Sequence, residues 1–534
     1  MPEQFSEEER RLLEPFFTNA DSHVFALTNL PETVKGALFA RYSRSAKSLR
    51  RLFLDEFAGN LAGVRADAST VGVERAERLY ARVFSEYGDD SVAQLGGAHV
   101  ACEYVSNVLT KVLEWGRLMA YLEQSTRYVP YTDKLHGRWR YHVPAEVAGA
   151  LRDRYVSVMD RAFETYASLI DAMQQHFAAR YPRAPQDSEG VHRAAIRAKA
   201  LDTLRGMLPA ATQSNVGLYG TGQAYEALLL RMRAHPLDEV RHCGEQMLAE
   251  LRKIVPAFLT RVDQPDRGGR WTEYLATTRR TTAAVAADLL AEIDPQPRDE
   301  VTLADFDPDG EIKIVAGALY AVSDLPDDQL LSIARAMTPD ERVRVLRAYV
   351  GERGNRRHHP GRAFERATYR FDVLTDYGAF RDLQRHRMLT LEWQPLSTRH
   401  GYNEPDALAE AGVLDAWTRV MDASAGLYEA LRAAGLDAAA PYAVAMAYRV
   451  RFYMDMNARE AMHVIELRTA PQGHPAYRRV CQQMHRLIAD RAGHTAVAAA
   501  MKFVDHSEVE LERLKSEREL ERKRERPTAD HEDH

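Results

Sequence analysis

Cysteines and long apolar runs are scarce in this sequence. Three cysteines occur in 534 residues, at Cys102, Cys243 and Cys481, and none stands in a C-x-x-C or zinc-type spacing. A disulfide framework and a cysteine-based metal site are therefore not expected, and the composition suits a reducing cytoplasm. No apolar stretch approaches the roughly 20 residues that span a bilayer, and residues 1–13 are acidic and polar, unlike a signal peptide. We expect a cytoplasmic protein with no membrane partner and no bound metal.

An excess of charge of one sign is also missing. The chain has 71 lysines and arginines against 77 aspartates and glutamates, for a formal net charge of −6. No strong basic field surrounds such a protein, so nucleic acid is not a predicted partner. The hydrophobic fraction of 45% and the charged fraction of 28% are ordinary for a soluble globular protein. The length exceeds that of one ordinary core and predicts two or more domains.

Helix-forming residues dominate the composition. Ala, Leu, Arg and Glu fill long stretches with amphipathic periodicity, which predicts helices over 151–177, 224–232 and 238–259. Strand signals are fewer, and the β-branched and aromatic residues of 311–321 and 369–373 predict strands. The expected fold class is therefore α+β and rich in helix.

Weak internal repeats suggest that the chain is a duplication. Residues 36–40 (GALFA) recur as 317–321 (GALYA), and residues 124–128 (QSTRY) recur as 396–400 (LSTRH). Leu-Arg followed by His-Pro occurs in both halves, first at Leu230 and later at Leu467. The acidic segment 294–310 contains three prolines and is typical of a boundary. We therefore divide the chain as follows: a front half over 1–293, a linker over 294–310, a back half over 311–506 and a charged tail over 507–534.

The densest cluster of functional side chains is Arg385-His386-Arg387. Two guanidinium groups beside an imidazole supply forked donors and fixed positive charge, which suit a phosphate or pyrophosphate. The preceding residues 377–384 are compatible with a helix, so the cluster is expected at a helix end. Solvated helix arginines are the alternative interpretation of the same pattern.

Two further clusters are suggestive. Glu123, Ser125 and Arg127 combine a carboxylate, a hydroxyl and a guanidinium within a short loop, which suits a sugar phosphate or a base edge. A polar turn would have the same composition. In the back half, Asn457, His463 and Arg468 lie only roughly on one side of a predicted helix.

These motifs together resemble those of flavin-dependent thymidylate synthases. Residues 385–402 read RHRMLTLEWQPLSTRHGY and are similar to that family's signature, an Arg-His-Arg triplet followed at a distance by Ser-x-Arg. Residues 457–468 read NAREAMHVIELR and are similar to its later helix. The front half resembles the same family over YGDDSVAQ (87–94), GRLMAYLEQSTRYVPY (116–131) and RGMLP (205–209). The resemblance implies two tandem domains like the thymidylate synthase complementing protein.

Each half departs from the family pattern in a different place. In the front half, Trp115-Gly116-Arg117 replaces the Arg-His-Arg triplet, and Gly220-Thr221-Gly222 replaces the Asn-x-Arg of the later helix. In the back half, two extra residues precede Ser397, and Pro441 stands where the front half has Arg205. The histidine of the family's Gly-His-x-Ser segment is matched by His359 in the back half and by Asp89 in the front half. The losses are complementary, so the resemblance implies one composite site. Random decay of both halves is the alternative.

The resemblance implies a role for each of these positions. The flavin would be bound by Arg385, His386, Arg387, Asn457, Arg459, His463 and His359. Catalytic roles would fall to Glu123, Ser125 and Arg127. The nucleotide would be bound by Arg205, Arg468, Arg231, Ser397 and Arg399.

The family's reaction supplies the functional expectation. It is the methylation of deoxyuridine monophosphate with methylenetetrahydrofolate and NADPH as co-substrates and FAD as cofactor, carried out by a homotetramer. A homodimer of fused chains would mimic that tetramer. A catalytically silent paralogue that binds flavin or nucleotide, with a regulatory or scaffold role, is the alternative.

Overall fold

The computed structural model describes residues 3–42, 45, 47–58, 94–127 and 129–525. Most of the 87–94 motif, including Asp89, lies outside the described residues, as do Tyr128 and the last nine residues of the tail. In the part that is described, no helix combines the length and hydropathy of a membrane span.

Helices make up most of the described structure. Their bounds are α1 Glu7–Leu13, α2 Glu32–Tyr42, α3 Leu49–Leu52, α4 Asn107–Leu113, α5 Gly149–Arg180, α6 Glu189–Leu204, α7 Gly222–Arg233, α8 Asp238–Leu251, α9 Arg270–Leu289, α10 Gly310–Tyr320, α11 Asp327–Ala336, α12 Pro339–Val350, α13 Tyr377–Leu383, α14 Ala407–Glu410, α15 Leu414–Ala433, α16 Ala458–Arg468, α17 Pro475–Asp490, α18 Thr495–Ala500 and α19 Leu514–Glu525. The strands are β1 Gly97–Ser106, β2 Met119–Glu123, β3 Gln213–Thr221, β4 Val301–Phe306, β5 Thr368–Asp376, β6 Thr390–Trp393 and β7 Arg449–Asn457.

The chain forms two compact units that interleave sequence segments. The first unit comprises Met1–Val105, Val112–Glu123 and Asn215–Ile293. The second comprises Ser106–Lys111, Gln124–Ser214 and Asp294–His534. Part of the front half, including Ser125, Arg127 and Arg205, therefore belongs to the same compact unit as the back half.

In the first unit, the strand order is β1-β3-β2, and β2 runs antiparallel to β3 with Met119 opposite Gly220 and Glu123 opposite Val216. Helix α7 begins directly after β3, where Thr221 caps its first turn by accepting a hydrogen bond from the Ala224 amide. Gly222 is needed at this junction because a Cβ there would come within 2.7 Å of the Phe258 side chain.

In the second unit, the strand order is β4-β5-β7-β6, and every pair is antiparallel. The β5–β7 ladder runs from Thr368 opposite Asn457 to Asp376 opposite Arg449. Alternate side chains of β5 and β7, including Phe371, Val373 and Met454, are fully buried or nearly so and form the core beneath the helices.

The same succession of elements occurs in both parts of the sequence. A strand runs directly into a helix and a short strand follows, as β1-α4-β2 and again as β5-α13-β6. Later a strand runs into a helix capped by its last strand residue, Thr221 in one copy and Asn457 in the other. This repetition agrees with two tandem domains of helix-rich α+β structure.

Several local predictions are confirmed. Helices α5 and α7 contain the predicted segments 151–177 and 224–232, and β5 contains the predicted strand 369–373. The segment 238–259 is helical only to Leu251, and a 3-10 turn over Pro256–Leu259 follows. Pro256 lacks the amide proton that would continue the α-helix.

The strand predicted over 311–321 is wrong, because this segment forms helix α10. Its buried side chains, Ile314, Val315 and Ala318, recur with helical rather than alternating spacing. Apolar burial on one helical face therefore overrides the strand preference of the β-branched residues. In the segment predicted as the linker, residues 301–306 form β4.

Candidate active site

The Arg-His-Arg triplet follows directly on helix α13, as the sequence predicts. Asp376 ends β5 and caps α13 by accepting a hydrogen bond from the Ala379 amide at 2.8 Å. A second hydrogen bond, 3.0 Å long, comes from the Asn403 side chain. Burial raises the pKa of Asp376, although the nearby Arg205 opposes the rise. The capped helix fixes the direction in which the triplet leaves it.

His386 is held as a neutral imidazole by its surroundings. Burial and the charge of Arg468 hold the pKa of His386 well below its usual range. Arg468 Nε donates to His386 Nε2 at 2.9 Å, so the imidazole proton is on Nδ1. Glu460 Oε1 lies 3.7 Å from that Nδ1, and burial raises the pKa of Glu460 to about 7.

Helix α16 and the segment between α12 and β5 each bring one more histidine to this place, His463 and His359. The His463 ring centroid lies 5.5 Å from that of His386 and 5.4 Å from that of His359. Burial and neighbouring cations lower the pKa of His359 and of His463. We call His359, His386 and His463 the histidine cluster. The structure brings these three sequence-predicted residues and Arg468 together.

Two other predicted flavin residues flank the cluster and already have protein partners. The Asn457 side chain caps α16 by accepting from the Glu460 amide at 2.9 Å. Arg459 Nε donates to the Pro360 carbonyl at 2.9 Å, and its Nη1 lies 3.6 Å from Glu365 Oε1. Arg387 is exposed to solvent. The flank of the cluster is therefore cationic and partly open to water.

His386, Glu460 and His463 also present ligand atoms within 4.8 Å of one another, which is close enough for a metal ion. The electrostatics oppose a cation, because Arg459 and Arg387 act on Glu460 and Arg468 acts on both histidines. The Arg468 bond also occupies the lone pair of His386 Nε2 and leaves a proton on Nδ1. The arrangement suits an acceptor-rich anion better than a metal.

A second cluster joins residues of the front and back halves in the second unit. Ser125 and Arg127 of the front half line the same small cavity as Arg385 and Asp382 of the back half. Thr126, Arg205, Gly378 and Arg381 complete its wall. We call this cavity the arginine pocket. The predicted convergence of Ser125 and Arg385 on one cleft is present in the structure.

Three of the four arginines of this pocket lie beside carboxylates. Arg127 donates to both oxygens of Asp202, with Nε–Oδ1 at 2.9 Å and Nη2–Oδ2 at 2.7 Å. Burial opposes ionisation of Asp202, yet the Arg127 guanidinium holds its pKa below the usual value. Arg205 Nη1 lies 3.6 Å from Asp382 Oδ2, and Arg385 Nη1 lies 3.8 Å from Asp382 Oδ1.

These pairs leave little space. The free volume of the arginine pocket is about 10 Å³, roughly one water molecule. A phosphate is larger than this space, so the pocket must rearrange before an anionic ligand enters. Displacement of Asp382 or Asp202 from its arginine partner is one such rearrangement.

The other predicted residues lie elsewhere. Ser397 is buried and accepts from the Arg399 amide at 3.5 Å, which repeats the 3.2 Å contact of the Arg127 amide with Ser125 Oγ. Neither Ser397 nor Arg399 lines the arginine pocket. Glu123 and Arg231 belong to the first unit, where Glu123 ends β2 and Arg231 lies over the Trp115 ring at 5.5 Å.

Sequence reasoning missed Asp202, Asp382 and His474. Asp202 and Asp382 each stand three residues before a predicted arginine, Arg205 and Arg385, and this spacing is a signal that was available. Burial lowers the pKa of His474 to about 3. The His-Pro repeat has a structural counterpart, since His474 Nδ1 accepts from the amide two residues on at 3.2 Å, as His235 Nδ1 does.

Comparison with known proteins places this geometry in context. The sequence profile of the family described as thymidylate synthase complementing protein matches residues 37–257 and again 303–492. A UPF0159 protein of Chlamydia muridarum is 39% identical over 96% of this chain and 98% of its own length. A flavin-dependent thymidylate synthase of Clostridium tetani is 25% identical, over 36% of this chain and 73% of its own.

A solved structure, that of a UMP/dUMP methylase from Streptomyces cacaoi bound with 5-Br dUMP, aligns with a TM-score of 0.29 and 20% identity. The alignment covers 37% of this chain and 94% of that one.

Proposed function

The chain belongs to the thymidylate synthase complementing protein family, and from that premise we propose that it is a flavin-dependent methylase of a uridine monophosphate. The proposed substrate is dUMP, with methylenetetrahydrofolate as carbon donor, NADPH as reductant and FAD as cofactor. The front and back halves would together supply one site in the second unit.

One observation carries this proposal. Ser125 and Arg127, which keep the family's Ser-x-Arg loop, line the same pocket as Arg385, which keeps its Arg-His-Arg triplet. The front half has lost its own triplet, and the back half carries two extra residues before its Ser-x-Arg loop, so the front-half loop and the back-half triplet are the pair that a composite site predicts to meet. Four arginines at one pocket, Arg127, Arg205, Arg381 and Arg385, suit the phosphate of a nucleotide.

The residues around the histidine cluster fit a flavin dinucleotide. Three imidazoles of lowered pKa present neutral, planar surfaces, and Arg387 and Arg459 supply cations for a pyrophosphate. Arg468 donates to His386 Nε2 and so fixes the tautomer in which Nδ1 carries the proton. When bound, the flavin supplies hydride transfer, while the protein binds and orients.

The chain's own contribution is positioning and electrostatics. Guanidinium groups would hold the substrate phosphate, fix the orientation of the uracil ring and stabilise charge that develops on it. The buried Cys481 thiol does not suit the role of nucleophile, because burial raises its pKa to about 12. This agrees with a reaction that needs no covalent bond to the protein.

The small volume of the arginine pocket favours a second candidate function. If the Arg127–Asp202 pair persists when ligand is present, no nucleotide enters, and the chain is a catalytically silent flavin-binding relative with a regulatory or scaffold role.

Purification of the protein and a tritium-release assay distinguish the active methylase from the silent flavin-binding relative. We expect full-length protein to bind FAD, seen as a flavin absorption band that remains after desalting. It should release tritium from dUMP labelled at C5 when NADPH and methylenetetrahydrofolate are added.

Arg385→Gln should abolish release, and Arg193→Gln, an exposed arginine on α6 with a side chain 74% exposed, serves as the matched control. Bound flavin without tritium release supports the silent relative, and loss of both readouts overturns the flavin proposal.

A further inference from the structure

A larger cavity lies beside the arginine pocket within the second unit. Its volume is about 520 Å³, and Arg205 and Gly378 belong to the walls of both cavities. Apolar side chains, among them Phe177, Pro405 and Met446, form much of the remaining wall. A volume of this order is typical of sites for small organic ligands.

Two buried nitrogens in this wall lack acceptors. Arg205 is 4% exposed and Trp417 is 1% exposed, and both line the cavity. Among the residues that the structure describes, neither Arg205 Nη2 nor Trp417 Nε1 has a hydrogen-bond partner. Buried donors without acceptors are rare and costly, because they have lost water and gained nothing.

The backbone turn that follows α6 carries Arg205 and packs against the Trp417 ring. Arg205 and Gly206 are consecutive in that turn, and a Cβ on Gly206 would lie only 2.5 Å from Trp417 Cη2 and 3.3 Å from Cζ2. The six-membered ring of the indole therefore packs against the turn. On the other side, Gly378 lets the Arg205 guanidinium approach, since a Cβ there would lie 3.3 Å from both Nε and Nη2.

The wall of the larger cavity carries five cationic side chains and six carboxyl groups, and several of these carboxyl groups already have protein partners. Asp202 pairs with Arg127, Glu410 with Arg180 and Glu512 with Lys199. Another carboxyl of the wall, Asp376, has its pKa raised by burial and so carries less negative charge. Burial also keeps His474 neutral, by lowering its pKa to about 3.

We propose that this cavity is a second ligand site, which takes a small carboxylate with an aromatic or apolar body. One carboxylate oxygen accepts from Arg205 Nη2 and the other from Trp417 Nε1, after a small adjustment of the wall. The body lies against the apolar side chains. The ion pair of Arg180 with Glu410, in which both side chains are more than two-fifths exposed, marks the end of the wall that is open to solvent. This site shares Arg205 and Gly378 with the arginine pocket, but its test measures binding of the probe and does not depend on methylase activity.

The indole nitrogen of Trp417 offers a direct test. The chain has five tryptophans, so full-length protein labelled with 5-fluorotryptophan should give few and resolvable ¹⁹F signals, and Trp417→Phe assigns the one of interest. We expect 2-naphthoate, the probe, to shift this signal saturably, while 2-naphthylmethylamine, which has the same ring and a positive charge, does not.

Calorimetric titration supplies the second measurement. Trp417→Phe should weaken 2-naphthoate binding about threefold to tenfold, which is the size of one hydrogen bond. Arg205→Met should weaken it further, and Trp271→Phe, at a tryptophan 57% exposed in the first unit, should leave it unchanged. Phe variants of the other four tryptophans assign the Trp417 signal by elimination, so the wild-type spectrum decides the matter even if either cavity variant fails to fold. An unmoved Trp417 signal at saturating probe, or equal binding of the amine, overturns the proposal.

Discussion

Replacing Asp202 by asparagine tests whether the arginine pocket is built to exchange a protein carboxylate for a ligand phosphate. Asp202 and Arg127 are 6% and 10% exposed and share three hydrogen bonds of 3.0 Å or less. Removing one charge of a buried pair leaves the other uncompensated, which lowers the free energy of unfolding by ~3–5 kcal/mol. Asparagine keeps one acceptor, so we expect the lower end of that range.

The expected shift in melting temperature follows from this magnitude. At roughly 2 °C per kcal/mol for a unit of this size, Asp202→Asn should lower the Tm by about 6 °C in the absence of ligand. The released Arg127 should then bind the phosphate of dUMP more tightly than in the wild type. At a dUMP concentration of 100 times Kd, ligand binding stabilises the folded variant by ~2.7 kcal/mol, which raises its Tm by about 5 °C.

The assay is a thermal melt of both proteins with and without dUMP. Asp187→Asn is the matched control, because Asp187 forms a similar two-bond pair in the same unit but its partner, Arg518, does not line the arginine pocket, whereas Arg127 does. Its Tm should not respond to dUMP more than that of the wild type. If dUMP raises the Tm of both variants equally, the exchange of Asp202 for phosphate is refuted.

Two further predictions concern the groups around the histidine cluster. The pKa of Glu460 is raised to about 7, so the folded state favours the protonated carboxyl. The carboxyl therefore destabilises the folded protein increasingly as the pH rises from about 4.5 to 7. Between pH 5 and pH 8 the wild type should lose up to ~3 kcal/mol of its free energy of unfolding through this group, and Glu460→Gln should abolish that loss. Urea unfolding at both pH values measures it. An unchanged pH dependence in the variant would contradict the burial argument. Arg353 and Glu466 form an ion pair in which each side chain is 1% exposed, and Arg353 also donates to the His358 and Ala500 carbonyls. In the same assay, Arg353→Met should lower the free energy of unfolding by at least ~3 kcal/mol. The control Arg362→Met, at a side chain that is 86% exposed, should lower it by less than ~0.5 kcal/mol. Equal losses would argue against a stabilising role of the buried pair.

Local periodicity and the family motifs were sufficient to predict several parts of this molecule. They located α5, α7 and β5, and they placed the Arg-His-Arg triplet at the end of a helix. These features depend on residues close together in sequence, so a single chain carries the signal. The Ser-x-Arg repeat likewise corresponds to the same turn in both halves.

The remaining features depend on tertiary contacts that no local pattern encodes. The helical form of residues 310–320 is decided by which face is buried. The partnership of Arg127 with Asp202 joins residues 75 apart in sequence. Carboxylates lie beside three of the four arginines of the arginine pocket, and a motif match gives no information about such partners.

The central claim is that the front-half loop and the back-half triplet act on one ligand. A double-mutant cycle on dUMP binding, with Arg127→Lys, Arg385→Lys and the pair, measures this directly by titration calorimetry. Both lysines keep the charge and remove the fork, so the buried carboxylates stay partnered. A coupling free energy between ~0.5 and 3 kcal/mol is predicted, and strictly additive losses, or no loss from either variant, would contradict a shared site.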